Sequence, residues 1–220
     1  MNGRLAIFDC DGTLIDSQHN ICAAMEICFA EAGRDPPARD ATRRVVGLSL
    51  VEAMQIMAPD AGPEAHGALA EGYKRAFHDM RGRGLVDEPL YDGVADTIET
   101  LAAEGWLLGI ATGKSDRGVA LCLEAHGLTD RFVTIQTADR HPSKPHPAMI
   151  AQALAETEIG PDQAVMIGDT SYDMAMARAA GVTSIGVAWG YHSPDELKEA
   201  GADHLVYRPA DLLDIVRNAP

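Results

Sequence analysis

Four groups of residues in this chain have the types and spacing to do chemistry. Asp9 and Asp11 stand one residue apart in "FDCDGT", at the end of an apolar run. Thr112 follows another apolar run in "GIATGK". Lys144 lies between prolines in "HPSKPHP", and Asp169 and Asp173 occur in "VMIGDTSYD". The four aspartates, if brought together, would be intolerable without a cation to neutralise them. A hard divalent ion with oxygen ligands meets that need, and magnesium suits a site with few carboxylates and several waters. Lys144 adds a compact positive charge and Thr112 a hydroxyl. The Thr112-Gly113 turn lets backbone N–H groups approach an anion. A cation, a lysine, a hydroxyl and exposed amides are what phosphoryl oxygens require in transfer. Two neighbouring aspartates then suit two roles, one ionised and nucleophilic, the other carrying a proton to the leaving oxygen. Like charges close together push their pKa values apart.

These groups must be positioned by the elements that precede them. Short apolar runs read as strands at Leu5–Phe8, Trp106–Ala111, Phe132–Ile135, Ala164–Ile167, Ser184–Ala188 and His204–Tyr207. After residue 90, helical patterns separate them, over 93–104, 116–126, 147–157 and 171–180. Ser193-Pro194-Asp195-Glu196 is a capping box that opens a further helix, and Gly201 ends it. Strands alternating with helices predict an α/β fold, a Rossmann-like parallel sheet covered on both faces. The four groups fall at or just beyond strand ends. Carboxyl ends of parallel strands share one edge of the sheet, so these groups can converge there.

Residues 17 to 88 break the rhythm. Ile21, Met25, Cys28, Phe29 and Ala32 form one helical stripe, and Leu69, Tyr73, Phe77 and Met80 another. Ser49-Leu50-Val51-Glu52 is a second capping box, opening a helix that stops before Pro59. The expected organisation is an α/β core from 1–16 and 89–220, with an all-α domain of residues 17–88 inserted after the first strand.

Composition narrows the function. The net charge is -15, which argues against a nucleic-acid partner and requires local positive groups to hold any anionic substrate. No apolar stretch approaches the ~20 residues of a membrane span, and no charged segment leads into an apolar one at the start of the chain. The expected location is the cytoplasm. The four cysteines form no C-x-x-C pair, so packed, reduced thiols are expected rather than a zinc or disulfide framework. Cys10 alternates away from the aspartates beside it and reads as packing.

With these residues in order, the chain resembles the haloacid dehalogenase superfamily. Asp9-Cys10-Asp11-Gly12-Thr13-Leu14, Thr112, Lys144 and Gly168-Asp169-Thr170-Ser171-Tyr172-Asp173 look like its four ordered motifs. The likeness covers nearly the whole chain, including a helical cap after the first motif. It is nearest to the phosphoglycolate phosphatase and β-phosphoglucomutase branch. The resemblance implies that Asp9 attacks phosphorus to form an aspartyl phosphate. It implies that Asp11 protonates the leaving group, then activates water, while its backbone carbonyl binds magnesium. Asp169 would be the other direct protein ligand, with Asp173 a ligand or a residue just behind one. Thr112 and Gly113 would hold phosphoryl oxygens, and Lys144 would balance Asp9 and the transferred group.

The expected reaction is hydrolysis of a small phosphorylated metabolite, because Asp11 supplies the acid that a leaving alkoxide needs. A dehalogenase of this fold lacks that acid and the metal cluster, and a phosphonate hydrolase usually lacks the second aspartate. A β-phosphoglucomutase-like isomerase pairs its cap loop with a basic residue after Gly-x-Ser, whereas Leu50 follows Gly47-Leu48-Ser49 here. An inorganic pyrophosphatase or a nucleotidase stays open. A phospho-acceptor module would need a long-lived phosphoaspartate, which a base at Asp11 opposes. The insert is expected to close as a lid that excludes water, turning near Asp16–Ser17 and Glu88–Pro89 and bringing Gly47 and Ser49 toward the leaving group. Lys114 could contact substrate. Met25, Met54 and Met57 read as packing. Arg43, Arg44, Lys74 and Arg75 either face the substrate or are solvated helix faces, the second reading being favoured, and His141 and His146 read as loop polarity rather than a metal pair.

Overall fold

The computed structural model describes residues 3–218. Six strands form one parallel sheet: β1 (Arg4–Phe8), β2 (Trp106–Thr112), β3 (Thr134–Thr137), β4 (Ala164–Gly168), β5 (Thr183–Val187) and β6 (His204–Val206). Their order is β3-β2-β1-β4-β5-β6. Four helices lie between β1 and the return to the sheet: α1 (Gln18–Glu31), α2 (Arg39–Arg44), α3 (Leu50–Met57) and α4 (Pro63–Gly82). The others are α5 (Val94–Ala103), α6 (Asp116–Ala125), α7 (Ala148–Thr157), α8 (Ser171–Ala180), α9 (Pro194–Glu199) and α10 (Pro209–Asn218).

The central strands β1, β2 and β4 are almost wholly apolar because both faces of the sheet are covered. Side chains alternate along β1. Ala6 and Phe8 pack among Ile98 and Leu101 of α5, Leu123 of α6 and Val216 of α10. Leu5 and Ile7 pack on the other face, among Met149 and Ile150 of α7 and Met176 of α8. The strand order reverses at β1, which has β2 on one side and β4 on the other. That switch point is where ligands settle in open α/β sheets, and Asp9 immediately follows β1.

Helices α1 to α4 bury apolar residues of their own. Met25, Cys28 and Phe29 pack against Met54 and Leu69, and Ala24 against Ala76 and Met80, so the methionines at 25 and 54 pack as their spacing predicts. The two chain segments that join these helices to the sheet run side by side. Asp16 N–H donates to the Pro89 carbonyl at 2.9 Å and Tyr91 N–H to that of Leu14 at 3.0 Å.

Three local expectations change. The strand expected at 132–135 sits at Thr134–Thr137. Phe132 instead packs edge-on against Phe8, with ring centroids 6.4 Å apart. The buried polar side chains of the strand are satisfied by Glu156, which accepts from Thr134 Oγ1 at 2.6 Å and Gln136 Nε2 at 2.8 Å. The capping box at Ser49 is half formed. Its hydroxyl accepts from Glu52 N–H, but its own N–H donates to Ser143 Oγ at 2.8 Å. Helix α10 has no counterpart in the sequence reading. By contrast, the Ser193–Glu196 box forms in both directions. Among the described residues, no helix is long and apolar enough to cross a membrane.

Candidate active site

The sheet brings the four groups to one edge. Asp9 follows β1, Thr112 ends β2, Lys144 lies in the loop between β3 and α7, and Asp169 follows β4. Gly12 makes the turn after β1 possible. Its φ is +88°, and a Cβ there would run into the Asp169 carboxylate.

Lys144 is the centre of the charge arrangement. It is 1% exposed, and its Nζ lies 2.9 Å from Asp9 Oδ1 and 2.6 Å from Asp173 Oδ1. Burial alone would lower its pKa, but Asp173 and Asp9 outweigh burial and hold the ammonium above its usual value. Burial pushes Asp9 up to about 6, with Lys144 opposing the rise and Asp173 adding to it. Asp169 is held well above the usual carboxylate range, first by burial and then by the charges of Asp9 and Asp173.

Asp9 Oδ1 also accepts from Cys10 N–H at 2.7 Å. Asp9 Oδ2 is buried and has no hydrogen-bond partner among the described residues. Asp169 is fixed by Thr13 Oγ1 at 2.8 Å and by Tyr191 N–H at 2.9 Å. Ligand oxygens of Asp9, Asp169 and Asp173 fall within 4.8 Å of one another. An all-oxygen cluster with one orphaned carboxylate oxygen fits a hard divalent cation. Asp173 is the most committed member. Its Oδ1 holds Lys144, and its Oδ2 accepts from Thr170 N–H and Oγ1 in the capping box that opens α8.

Asp11 points elsewhere. Its Oδ1 accepts from Ser17 Oγ at 2.6 Å and pairs with Lys114 Nζ at 2.8 Å. Lys114 also pairs with Glu88 at 2.8 Å, and Glu88 meets Arg81 of α4 at 2.6 Å. Burial would lower the Lys114 pKa, but Asp11 foremost among its neighbours holds it well above the ordinary lysine value. The division between the two aspartates thus differs from the expected one. Each has its own lysine, and the carboxylate that adds to the rise at Asp9 is Asp173, not Asp11.

Asp9, Asp11, Thr112, Gly113 and Gly47 all line one cavity of about 360 Å³ between α1–α4 and the sheet edge. Ser49 does not line it. Its N–H is drawn to Ser143, which ties the 47–49 loop to the loop carrying Lys144. Gly113 is one place where the 47–48 loop meets the sheet edge. A Cβ there would lie 2.7 Å from the carbonyl oxygens of both Gly47 and Leu48. Gly113→Ala is therefore expected to push the 47–48 loop off the sheet edge and to lower kcat/KM by about 100-fold, since a displacement near 1 Å can cost that much. Thermal unfolding should change little, and an unaltered kcat/KM would show that this contact is dispensable.

Sequence reasoning did not find Thr13 as the partner of Asp169, nor Ser17, Glu88 and Tyr191. Thr13 stood inside the first motif, but its role depends on a residue 156 positions away. Of the other polar residues weighed in the sequence, Lys74 lines the cavity. Lys114 does reach the site, through Asp11. Arg44 pairs with Glu196, Lys74 with Glu71, and Arg43 with Asp40. His141 bonds Gln136, His146 bonds Ala148 N–H, and Cys10 is packed in the core.

Six parallel strands with an acid cluster at their carboxyl edge define a Rossmann-like α/β protein. The chain belongs to the haloacid dehalogenase-like hydrolase family, whose pattern it matches over residues 6–187. It is 37% identical over 204 residues to the protein of Dickeya dadantii named "Probable phosphatase IndB", covering 89% of this chain and 86% of that one. It is 32% identical over 192 residues to the phosphoglycolate phosphatase of Pseudomonas putida, covering 86% of this chain and 71% of the other. The crystal structure of a hydrolase from Pseudomonas syringae superposes with a TM-score of 0.86 at 26% identity, covering 99% of this chain and 100% of that one.

Proposed function

We propose that this family member is a magnesium-dependent phosphatase that hydrolyses a small phosphomonoester through Asp9. The observation that carries the reading is the buried, unpartnered Asp9 Oδ2 at the floor of a cavity, beside a buried lysine. Among similar proteins, some are named phosphatase or phosphoglycolate phosphatase, in agreement with it, and others pyrophosphatase.

Asp9 attacks phosphorus, and the ester P–O bond breaks. Asp11 donates a proton to the leaving oxygen. Ser17 and Lys114 both act on Oδ1, which fixes the carboxyl and leaves Oδ2 for the substrate side. Asp11, now ionised, takes a proton from water, which attacks the phosphoaspartate, releases phosphate and restores Asp9. Thr112 and the Gly113 N–H hold phosphoryl oxygens, and Lys144 balances their charge. Magnesium, held by Asp9, Asp169 and the Asp11 backbone carbonyl with Asp173 behind them, would neutralise charge on the phosphoryl oxygens. Helices α1–α4 act as a cap over this centre. Its closure excludes water, and the paired segments at Asp16–Ser17 and Glu88–Pro89 are the place it turns.

Steady-state turnover of p-nitrophenyl phosphate with magnesium tests the reading. Phosphate release that stops when the metal is chelated is expected, and a stable phosphoprotein with no turnover would instead indicate an acceptor module.

Metal binding should depend on pH. Asp9 at about 6 and Asp169 above the usual range hold protons in the folded chain that the unfolded chain releases near 4. Their contribution to stability is complete at low pH and is lost as pH rises through the folded values. Magnesium binds the deprotonated form, so it restores most at high pH. At one fixed concentration, a hundredfold above the Kd at pH 7.5, magnesium is expected to raise Tm by about 5–10 °C at pH 7.5 and hardly at all at pH 5. Equal gains at both pH values would contradict a cation on these carboxylates.

A further inference from the structure

The floor of the 360 Å³ cavity is polar, but much of its wall is apolar. Ile21 and Met25 of α1, Val45 and Val46 of the loop after α2, and Tyr73 and Phe77 of α4 line it. The Tyr73 and Phe77 rings lie 5.9 Å apart, tilted by 42°. Leu121 of α6 adds an apolar side chain from the sheet side. The volume lies in the range of pockets that enclose whole organic ligands, which runs from roughly 300 to 1,000 Å³. A phosphoryl group fills only the floor, where Asp9, Thr112 and Gly113 lie. A two-carbon acid, or a second phosphoryl group, would leave these walls against water and place another anion beside hydrocarbon.

We infer that the substrate is a phosphate monoester whose leaving group is an apolar or aromatic alcohol large enough to cover these walls. The inference rests on the phosphatase reading and names the substrate class of that same site. The cavity also explains how a chain of net charge -15 admits an anion. Lys74, His78, Arg81 and Arg117 line it as well. Arg117 of α6 meets His78 of α4 at 3.4 Å and, among the described residues, pairs with no carboxylate. Lys74 and Arg81 are paired with Glu71 and Glu88, so among the described residues Arg117 is the cation left to attract the phosphate, while the apolar walls select what the phosphate is attached to.

The test compares kcat/KM with magnesium for ethyl, hexyl and 2-phenylethyl phosphate, phosphoglycolate and inorganic pyrophosphate, with p-nitrophenyl phosphate as an activated reporter. The three alkyl esters have leaving groups of similar basicity, so differences among them report binding. Each methylene in an apolar pocket is worth about tenfold or more. Hexyl and 2-phenylethyl phosphate are therefore expected to exceed ethyl phosphate and phosphoglycolate by at least about 100-fold. Phe77→Ala should shrink the 2-phenylethyl over ethyl ratio by about tenfold. If p-nitrophenyl phosphate and phosphoglycolate turn over and the larger esters do no better, the phosphatase reading stands and this inference is overturned. Pyrophosphate or phosphoglycolate as the best substrate overturns it too. If no compound is hydrolysed, the phosphatase reading fails and the inference falls with it.

Discussion

Asp9→Asn is expected to lower turnover by at least about 10,000-fold, as removal of a covalent nucleophile does elsewhere. Asparagine keeps the shape of the side chain, and its oxygen still accepts from Cys10 N–H and Lys144. What disappears is the ionised oxygen that forms the bond to phosphorus. The fold should survive. Burial pushes the Asp9 carboxyl up to about 6, so its charge opposes folding at neutral pH. A neutral amide removes that penalty, and Tm of the metal-free protein should stay level or rise. Parallel measurement of kcat and Tm separates lost chemistry from lost structure. Activity within tenfold of the parent would refute Asp9 as nucleophile.

Lys144→Met should damage both activity and stability. Lys144 is 1% exposed and is the lysine that pairs with both Asp9 and Asp173. Its loss leaves two buried carboxylates facing each other without a counter-charge. Breaking a buried pair in this way costs about 3–5 kcal/mol. In a chain of this size that corresponds to a fall in Tm of about 10 °C, read by calorimetry without metal. The deficit should shrink at acid pH, where Asp9 takes up a proton. Lys144→Arg should fail to restore activity, because a planar guanidinium cannot replace a point ammonium held between two carboxylates. A variant as stable as the parent at pH 7.5 would contradict Lys144 as the counter-charge that this buried cluster needs.

These two residues were legible in the sequence for a physical reason. A nucleophile, a lysine and metal-binding carboxylates must be particular residue types, and a parallel sheet puts them directly after strands. The strands were equally legible, since burial on both faces leaves runs such as Leu5–Phe8 with no polar interruption. Where polar residues entered a buried strand, the pattern failed. Thr134 and Gln136 are inside because Glu156 satisfies them, and nothing local in the sequence says so.

The electrostatics of Asp11 were hidden for a similar reason. Its partner Lys114 is 103 positions away and is shared with Glu88, at the return from helices α1–α4. Only the packing of α4 against the sheet edge brings Arg81, Glu88, Lys114 and Asp11 into one chain of charges. The expectation that Asp9 and Asp11 set each other's protonation came from their closeness in sequence. In the fold, Asp9 turns to Lys144 and Asp11 to Lys114. Proximity along an extended segment did not determine which charges would meet.

The central claim is that Asp9 itself takes the phosphoryl group. The most direct measurement is rapid acid quench of the Asp11→Asn variant with magnesium and a turned-over phosphomonoester, followed by mass spectrometry of the peptide that contains Asp9. That variant lacks the acid and base for both steps, so the intermediate forms slowly and breaks down slowly. The account predicts one added phosphoryl group on that peptide, located at Asp9, and borohydride reduction of that aspartyl phosphate to homoserine with release of phosphate. Phosphate release with no phosphoryl group on Asp9 at any time in the course, or a phosphoryl group on another residue, would contradict it.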